Sequence, residues 1–568
     1  MQAFSAPLRR LCQFCSRFRR ARDGNVAITF ALALIPLLAF VGAAIDFSRA
    51  NSVKASLQAA LDATALMVSK NAASVSSGAL QTSAQAYFNA QFNRPEAKNV
   101  IVTAAYSSSG GSSVLVTGSA DMDTQFIGIL GFKTLNITGA SSTKWGSARL
   151  RVALVLDTTG SMSSDGKIAA LKTATKNLLT QLKSAASTDG DVYVSIIPFS
   201  KNVNLDPDNY GANWIDWTDW EGEPAILDLN KGGAKPSNWA NLTAGSSCPF
   251  TNSSYGFQCT TGPNNGSSTT STMPSSGSYS GYICPGLDSG NKDADKIGIY
   301  YNGCYNSVPT TTTTTTTVCT GFYCSCGSLN NCSCTGSGFT KKCVQTTTTT
   351  GAPYTHTWIK NARSTWNGCV ADRGNYSGPV SDYDRLVTAP STGVAASLFP
   401  AEQNTYCSPV VSGLSYDWTG MNSLVDSLTP NGATNQPIGL VWGWQSLVGG
   451  GPLTAPAKNA NYSYNDVIIL LSDGLNTLDR WYGNGSSTST AVDTRMLDAS
   501  GDGTCANIKA TGITLYTIQV NTGGDPTSTL LRNCASSSDK FFLLTSANQI
   551  ITTFDKIGSN LTQLRIAQ

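Results

Sequence analysis

Two apolar runs in this chain refuse to alternate. Residues 152–156 (Val-Ala-Leu-Val-Leu) and 467–471 (Val-Ile-Ile-Leu-Leu) carry no polar side chain. A half-buried strand alternates, so a strand that does not must be covered on both faces, which requires a sheet with helices on either side. The surrounding pattern agrees. Strands read at 150–157, 191–199, 466–472, 514–520 and 540–544, with helices near 167–184, 436–448, 494–510, 527–535 and 546–565. The expectation is an α/β fold with a doubly wound, mostly parallel sheet. Ligands of such sheets bind at the carboxyl ends of strands, where Asp157 and Asp473 both fall.

The first of these ends continues Asp157-Thr158-Thr159-Gly160-Ser161. Asp157, Thr159 and Ser161 set three small oxygen donors at the mouth of one strand, the chemistry hard cations prefer. Alone, such a run reads more readily as a strand-to-helix turn with a capping hydroxyl. Thr434, at the end of Pro430-Asn-Gly-Ala-Thr434, and Asp473-Gly474 supply further oxygens later in the same strand–helix alternation. The five residues together read as a composite site for Mg²⁺, with Mn²⁺ or Ca²⁺ as alternatives.

Charge divides the chain. Arg9, Arg10, Arg17, Arg19, Arg20 and Arg22 against Asp23 give the N-terminus +5 of a net +3, leaving the remainder near −2. Positive charge confined to a tail argues against a nucleic-acid-binding body. Residues 26–45 follow without a charge, long enough to cross a bilayer as a helix. The arginines predict the N-terminus inside, as a basic tail at 1–25, and the bulk outside. A cleaved signal peptide, cut after Val41-Gly42-Ala43, is the competing reading. Residues 52–70 continue as a helix with Val53, Leu57, Leu61, Ala65 and Val68 on one stripe, and strand-like runs at 100–106, 113–118 and 134–140 complete a small α+β region over 46–147.

Residues 205–417 interrupt the sheet pattern and hold twelve of the sixteen cysteines and two threonine tracts. Outside the cytosol these cysteines read as disulfides, although Cys324-x-Cys326 and Cys332-x-Cys334 have the look of a thiolate metal cluster. The expectation is a covalently stapled insertion with little core, disordered in part. It leaves after the second strand and returns just before Thr434, so its loops are expected near the metal. Cys505 and Cys534 flank the 514–520 strand and form a candidate pair. Cys12 and Cys15 lack a second pair and read as free thiols.

Asp157-x-Thr159-x-Ser161, Thr434 and Asp473-Gly474 resemble the metal-ion-dependent adhesion site of von Willebrand factor type A domains, over 148–204 and 418–568. The resemblance implies that these residues hold Mg²⁺ directly or through water, and that a partner's Asp or Glu carboxylate completes the shell. Thr159 stands where the family more often has Ser. The N-terminus, with Asp23-Gly24-Asn25 before the apolar stretch, Gly42-Ala-Ala-Ile-Asp46 and Leu57-Gln-Ala-Ala-Leu-Asp62-Ala63, is similar to Tad-type Flp pilus assembly proteins of the TadG kind. Thr29 occupies the place where pilin-like relatives often carry a glutamate, which favours a permanent anchor over cleavage.

Two other signals carry less. Asp498-Ala-Ser500-Gly-Asp502-Gly503 starts like an EF-hand but has Lys509 at its twelfth position, and reads as a turn. His356 is the only histidine and no G-x-S-x-G elbow occurs, so a hydrolase is not expected. The sequence thus predicts a single-pass protein of a bacterial inner membrane that binds protein partners of the pilus machinery through a metal. The alternative is a minor-pilin or scaffold protein whose metal only stabilises the fold.

Overall fold

The computed structural model describes residues 25–566 apart from 109–110, 146–147, 264–266, 289–297, 375–382, 387–388 and 449–450. The basic tail, Cys12 and Cys15 lie outside the described residues. The chain divides into two compact units, residues 1–148 and, in the main, 149–564.

The first unit is built on one helix, α1 (Asn25–Ser69), with Pro36 inside it. Its two halves have different surfaces. Ile28, Phe30, Leu32, Ile35, Leu38 and Phe40 are exposed, whereas Val53, Leu57, Leu61, Ala65 and Val68 are buried at the spacing the sequence indicates. Among the described residues this is the one helix long and apolar enough to cross a membrane. A second helix, α2 (Ser77–Gln91), starts at Ser76, whose hydroxyl accepts the Ala79 N–H, and buries Leu80, Ala84 and Phe88. The sequence reading missed it, because alanine, serine and glutamine give its faces little contrast in hydropathy. Strands β1 (Ala97–Ser107), β2 (Ser112–Asp123) and β3 (Thr134–Trp145) form an antiparallel meander. Gly118 and Gly139 pair across β2 and β3, and a Cβ on either would stand 2.9 or 3.0 Å from a Leu61 methyl. Two adjacent glycines therefore let α1 lie directly on the sheet. Each Leu or Val fully buried there contributes roughly 1.5–3 kcal/mol.

The second unit holds β4 (Ala148–Asp157), α3 (Lys167–Ala185) and β5 (Val192–Phe199), then the insertion. Inside the insertion the threonine tracts lie on two long paired strands, β6 (Gly303–Thr320) and β7 (Lys342–Lys360). The sheet resumes with β8 (Ser412–Ser415), α4 (Trp418–Ser427), α5 (Gln436–Val448) and β9 (Ser463–Ser472). It closes with α6 (Thr490–Met496), α7 (Thr504–Ala510), β10 (Thr514–Val520), α8 (Thr529–Cys534), β11 (Phe541–Leu544) and α9 (Asn548–Ile566). The order across the sheet is β8-β5-β4-β9-β10-β11, with β8 antiparallel to β5. One face packs Val152, Leu154 and Leu156 of β4 against α3, α4 and α9 through Leu178, Val425 and Phe554. The other face packs Ala153 and Val155 against α5 through Ile438 and Trp442. Both faces are covered, which is why the central strands do not alternate.

Three expectations need correction. Residues 494–510 are not one helix: Asp498 and the positive-φ residues Gly501 and Gly503 make a turn between α6 and α7. β8 lies inside the 205–417 stretch assigned to the insertion, because a four-residue edge strand is too short to register as a pattern. The insertion also has more core than the expected little. Leu227, Leu242, Phe250, Phe257, Met273, Ile283 and Tyr305 pack together, and Trp217, Trp220, Trp366 and Phe399 join the α5 face of the sheet. Aromatic residues scattered along loops build these clusters without any periodicity to announce them. All twelve insertion cysteines are disulfide-bonded, as Cys248–Cys259, Cys284–Cys304, Cys319–Cys324, Cys326–Cys332, Cys334–Cys343 and Cys369–Cys407. Cys505 pairs with Cys534.

Candidate metal centre

Asp157 ends β4 and Asp473 directly follows β9, so two adjacent central strands deliver one carboxylate each to the same edge of the sheet. The chain after Asp157 turns sharply. The Thr159 N–H donates to Asp157 Oδ1 at 2.8 Å, and a 3-10 turn over Gly160–Ser163 brings the Thr159 and Ser161 hydroxyls within 3.0 Å of each other. Ser161 Oγ donates to Asp473 Oδ1 at 2.7 Å. The loop before α5 is clasped to this turn. Gly160 N–H donates to Gly432 O at 2.9 Å and Asn431 N–H to Thr158 O at 2.7 Å. Thr434 enters from that loop: its Oγ1 and Ser161 Oγ each lie 3.7 Å from where a Cβ on Gly474 would stand. The five residues singled out in the sequence thus converge on one cluster of oxygens.

Three further residues support the cluster. Ser472 Oγ donates to Asp157 Oδ2 at 2.6 Å, and Gln436 Nε2 holds both Ser472 Oγ and Gly474 O at 2.9 Å. Lys167, at the start of α3, places its ammonium 2.5 Å from Asp473 Oδ2 in a pair withdrawn from solvent. Sequence reasoning missed all three, because none belongs to the oxygen motif; Lys167 reads only as the first helical residue after a turn.

Asp157 is fully buried, and burial pushes its carboxyl up to about 7; the charge of Asp473 adds to this, against hydrogen bonds from Ser472 and Thr159. Among the described residues no Lys or Arg forms an ion pair with Asp157. Two carboxylates and three hydroxyls are all hard oxygen donors, a set that fits Mg²⁺, Mn²⁺ or Ca²⁺ and not a soft metal. The donor chemistry and the uncompensated Asp157 charge both fit a divalent cation.

The insertion supports the same loops. Asn435 Nδ2 donates to Asp372 Oδ2 at 2.9 Å, Asp372 pairs with Arg495 at 2.8 Å, and Ser200 Oγ donates to Tyr406 O at 3.0 Å. Thr158 Oγ1 reaches Ser408 Oγ at 3.3 Å. The Cys369–Cys407 disulfide joins the two insertion segments from which these contacts come.

The remaining candidates are otherwise engaged. Asp498 Oδ1 accepts the N–H groups of Ser500 and Asp502, and Oδ2 pairs with Arg385, so its carboxylate serves a turn. His356 bonds Ser307 Oγ at 2.8 Å and Trp239 O at 2.6 Å within the insertion. The thiolate cluster suggested by the cysteine spacing is instead a set of disulfides.

No curated relative matches the chain. Among solved structures, the pilus adhesin SpaC of Lactobacillus rhamnosus GG aligns with a TM-score of 0.28 at 11% identity, over 83% of this chain and 36% of that one. This chain therefore spans about a third of that adhesin. The von Willebrand domain of the type V pilus tip protein Mfa5 from Porphyromonas gingivalis gives a TM-score of 0.29 at 8% identity, over 73% and 95%. Proximal thread matrix protein 1 of the mussel byssus, with a zinc-occupied adhesion motif, gives 0.18 at 15% identity, over 73% and 95%. Residues 24–75, which include the whole of α1, match the family model described as putative Flp pilus-assembly TadE/G-like.

Proposed function

We propose that this is a membrane-anchored, extracytoplasmic binding protein of Flp-type pilus assembly or surface attachment, whose second unit is a von Willebrand type A module. Residues 26–45 cross the inner membrane and the bulk lies outside. The observation that carries this reading is the convergence of Asp157, Thr159, Ser161, Thr434 and Asp473 where β4 and β9 end. The sheet order, with one antiparallel edge strand, and the N-terminal family match support it. A divalent cation held by these residues would supply Lewis acidity toward an anionic partner. The protein's own residues do the rest: Ser472 and the Thr159 N–H orient Asp157, and Ser161 and Lys167 hold both oxygens of Asp473. With both oxygens of Asp473 already engaged, a cation held there would keep affinity for a further anionic ligand, such as a partner's Asp or Glu.

Titration of the purified protein with Mg²⁺ or Mn²⁺ should show one site that Asp157→Ala removes. Cells carrying Asp157→Ala should keep the protein at its normal level but lose pilus-dependent attachment. Full attachment by that strain would sink the metal-mediated reading. One observation favours a second reading, a scaffold whose metal only stabilises the fold: Lys167 already offers Asp473 a cation. In that case Mg²⁺ would raise the unfolding temperature while attachment stayed insensitive to Asp157→Ala.

A further inference from the structure

The first unit exposes an apolar loop that its core does not explain. Between Asp123 and Lys133 the chain reads Thr-Gln-Phe-Ile-Gly-Ile-Leu-Gly-Phe, with no charge. Ile127 is buried, but Ile129 is 85% exposed and Phe132 65%. Ile129 and Phe132 make this short, uncharged loop an exposed apolar patch.

The loop is fixed to α1 at a definite height. Asp46, fully buried, accepts the N–H groups of Gln125, Phe126 and Ile127 at 2.9, 2.8 and 2.9 Å. Arg49 stands 3.9 Å from the same carboxylate. One turn earlier, Gly42 has no side chain, and a Cβ there would lie 2.5 Å from Phe126 Cβ. Four residues of helix rise about 6 Å, so Phe126 meets α1 about 6 Å before Asp46, within the apolar stretch that ends at Ile45. Around that contact α1 exposes Phe40, Val41 and Ile45. Loop and helix thus present apolar side chains at one level.

The backbone of the loop suits a medium poor in water. Besides the three N–H groups on Asp46, Ile129 N–H donates to Phe126 O, Gly131 N–H to Gly128 O and Thr124 N–H to Lys133 O. Thr124 Oγ1 donates to Phe132 O at 2.6 Å. Lipid-exposed backbone must satisfy its polar groups internally, and this loop does so for most of its donors.

We propose that residues 126–132 are a second membrane contact, a loop clasped to α1 by Asp46 whose Ile129 and Phe132 side chains enter the interfacial layer of the outer leaflet. The occupant is lipid because the loop continues the apolar surface of a helix read as the membrane span, and the proposal rests on that reading. A helix alone can rotate and tilt in a bilayer. A clasped apolar loop fixes its rotation and the height at which the first unit stands.

The test uses the full chain with Cys12→Ser and Cys15→Ser, reconstituted in phosphatidylcholine vesicles. A polarity-sensitive dye is attached at Ile129→Cys, Phe132→Cys, Phe40→Cys or Ser107→Cys, and nitroxide-labelled lipids serve as quenchers. Dyes at 129 and 132 should emit to the blue and be quenched by lipids labelled near the headgroup, as the dye at 40 is quenched by lipid. The dye at 107, at the end of β1 far from the loop, should respond to neither. Quenching at 40 without quenching at 129 and 132 overturns the loop contact and leaves the anchor standing. Loss of quenching at all positions overturns the anchor, and the loop contact with it.

Discussion

At the scale of single residues, Lys167 decides how the candidate centre behaves without metal. It is the cation nearest Asp473, and the pair is nearly closed to water. Removing one partner of a buried pair leaves the other uncompensated, a loss of about 3–5 kcal/mol. Lys167→Met should therefore lower the unfolding temperature sharply in EDTA. Added Mg²⁺ should restore more stability to this variant than to the wild type, because Asp473 then has no other cation. Calorimetry with and without metal measures both; an equal Mg²⁺ response in the two proteins would remove Lys167 from the site's charge balance. The oxygen motif was legible in the sequence because Asp157, Thr159, Ser161 and Asp473 follow strand ends at short offsets and Thr434 just precedes a helix. Lys167, Ser472 and Gln436 were not, since they act by converging from three different elements and have no spacing of their own.

At the scale of elements, the loops that carry the hydroxyls are supported by loops of the insertion. Residues 369–372 and 402–408 buttress the Asp157 turn and the start of α5, and Cys369–Cys407 ties the two segments together. Opening a loop closed over 38 residues raises the entropy of the unfolded chain, on the order of 4 kcal/mol. The double variant Cys369→Ser, Cys407→Ser should lose stability on that scale and bind Mg²⁺ more weakly. By contrast, Cys319→Ser with Cys324→Ser, at the outer end of the β6–β7 pair, should leave Mg²⁺ affinity unchanged. Titration calorimetry on the two variants separates them, and equal affinities would show that the insertion does not support the centre. The strand–helix alternation made the sheet legible, whereas β8, α2 and the aromatic cores of the insertion were hidden. Short edge strands, low-contrast helices and loop-borne aromatics leave no period in a sequence.

At the scale of the whole molecule, the two units rest on separate cores. The stripe of Val53, Leu57 and Leu61 packs with β1–β3 and α2, while the large sheet packs with α3, α4, α5 and α9. The division between an apolar N-terminal helix and an α/β module was legible from composition and periodicity alone. What could not be read was the clasp of the 126–132 loop to α1, on which the proposed lipid contact rests, because the loop is short and depends on Asp46, some eighty residues earlier. Independent cores predict independent folding. Residues 149–566 expressed alone in an oxidising compartment should unfold cooperatively and keep the wild-type Mg²⁺ affinity, since every oxygen of the candidate centre and every disulfide among the described residues lies within them. If that fragment is soluble and oxidised but unfolds without cooperativity, or binds Mg²⁺ only when residues 25–148 are present, then the first unit takes part in building the centre and the division of labour between anchor and binding module fails.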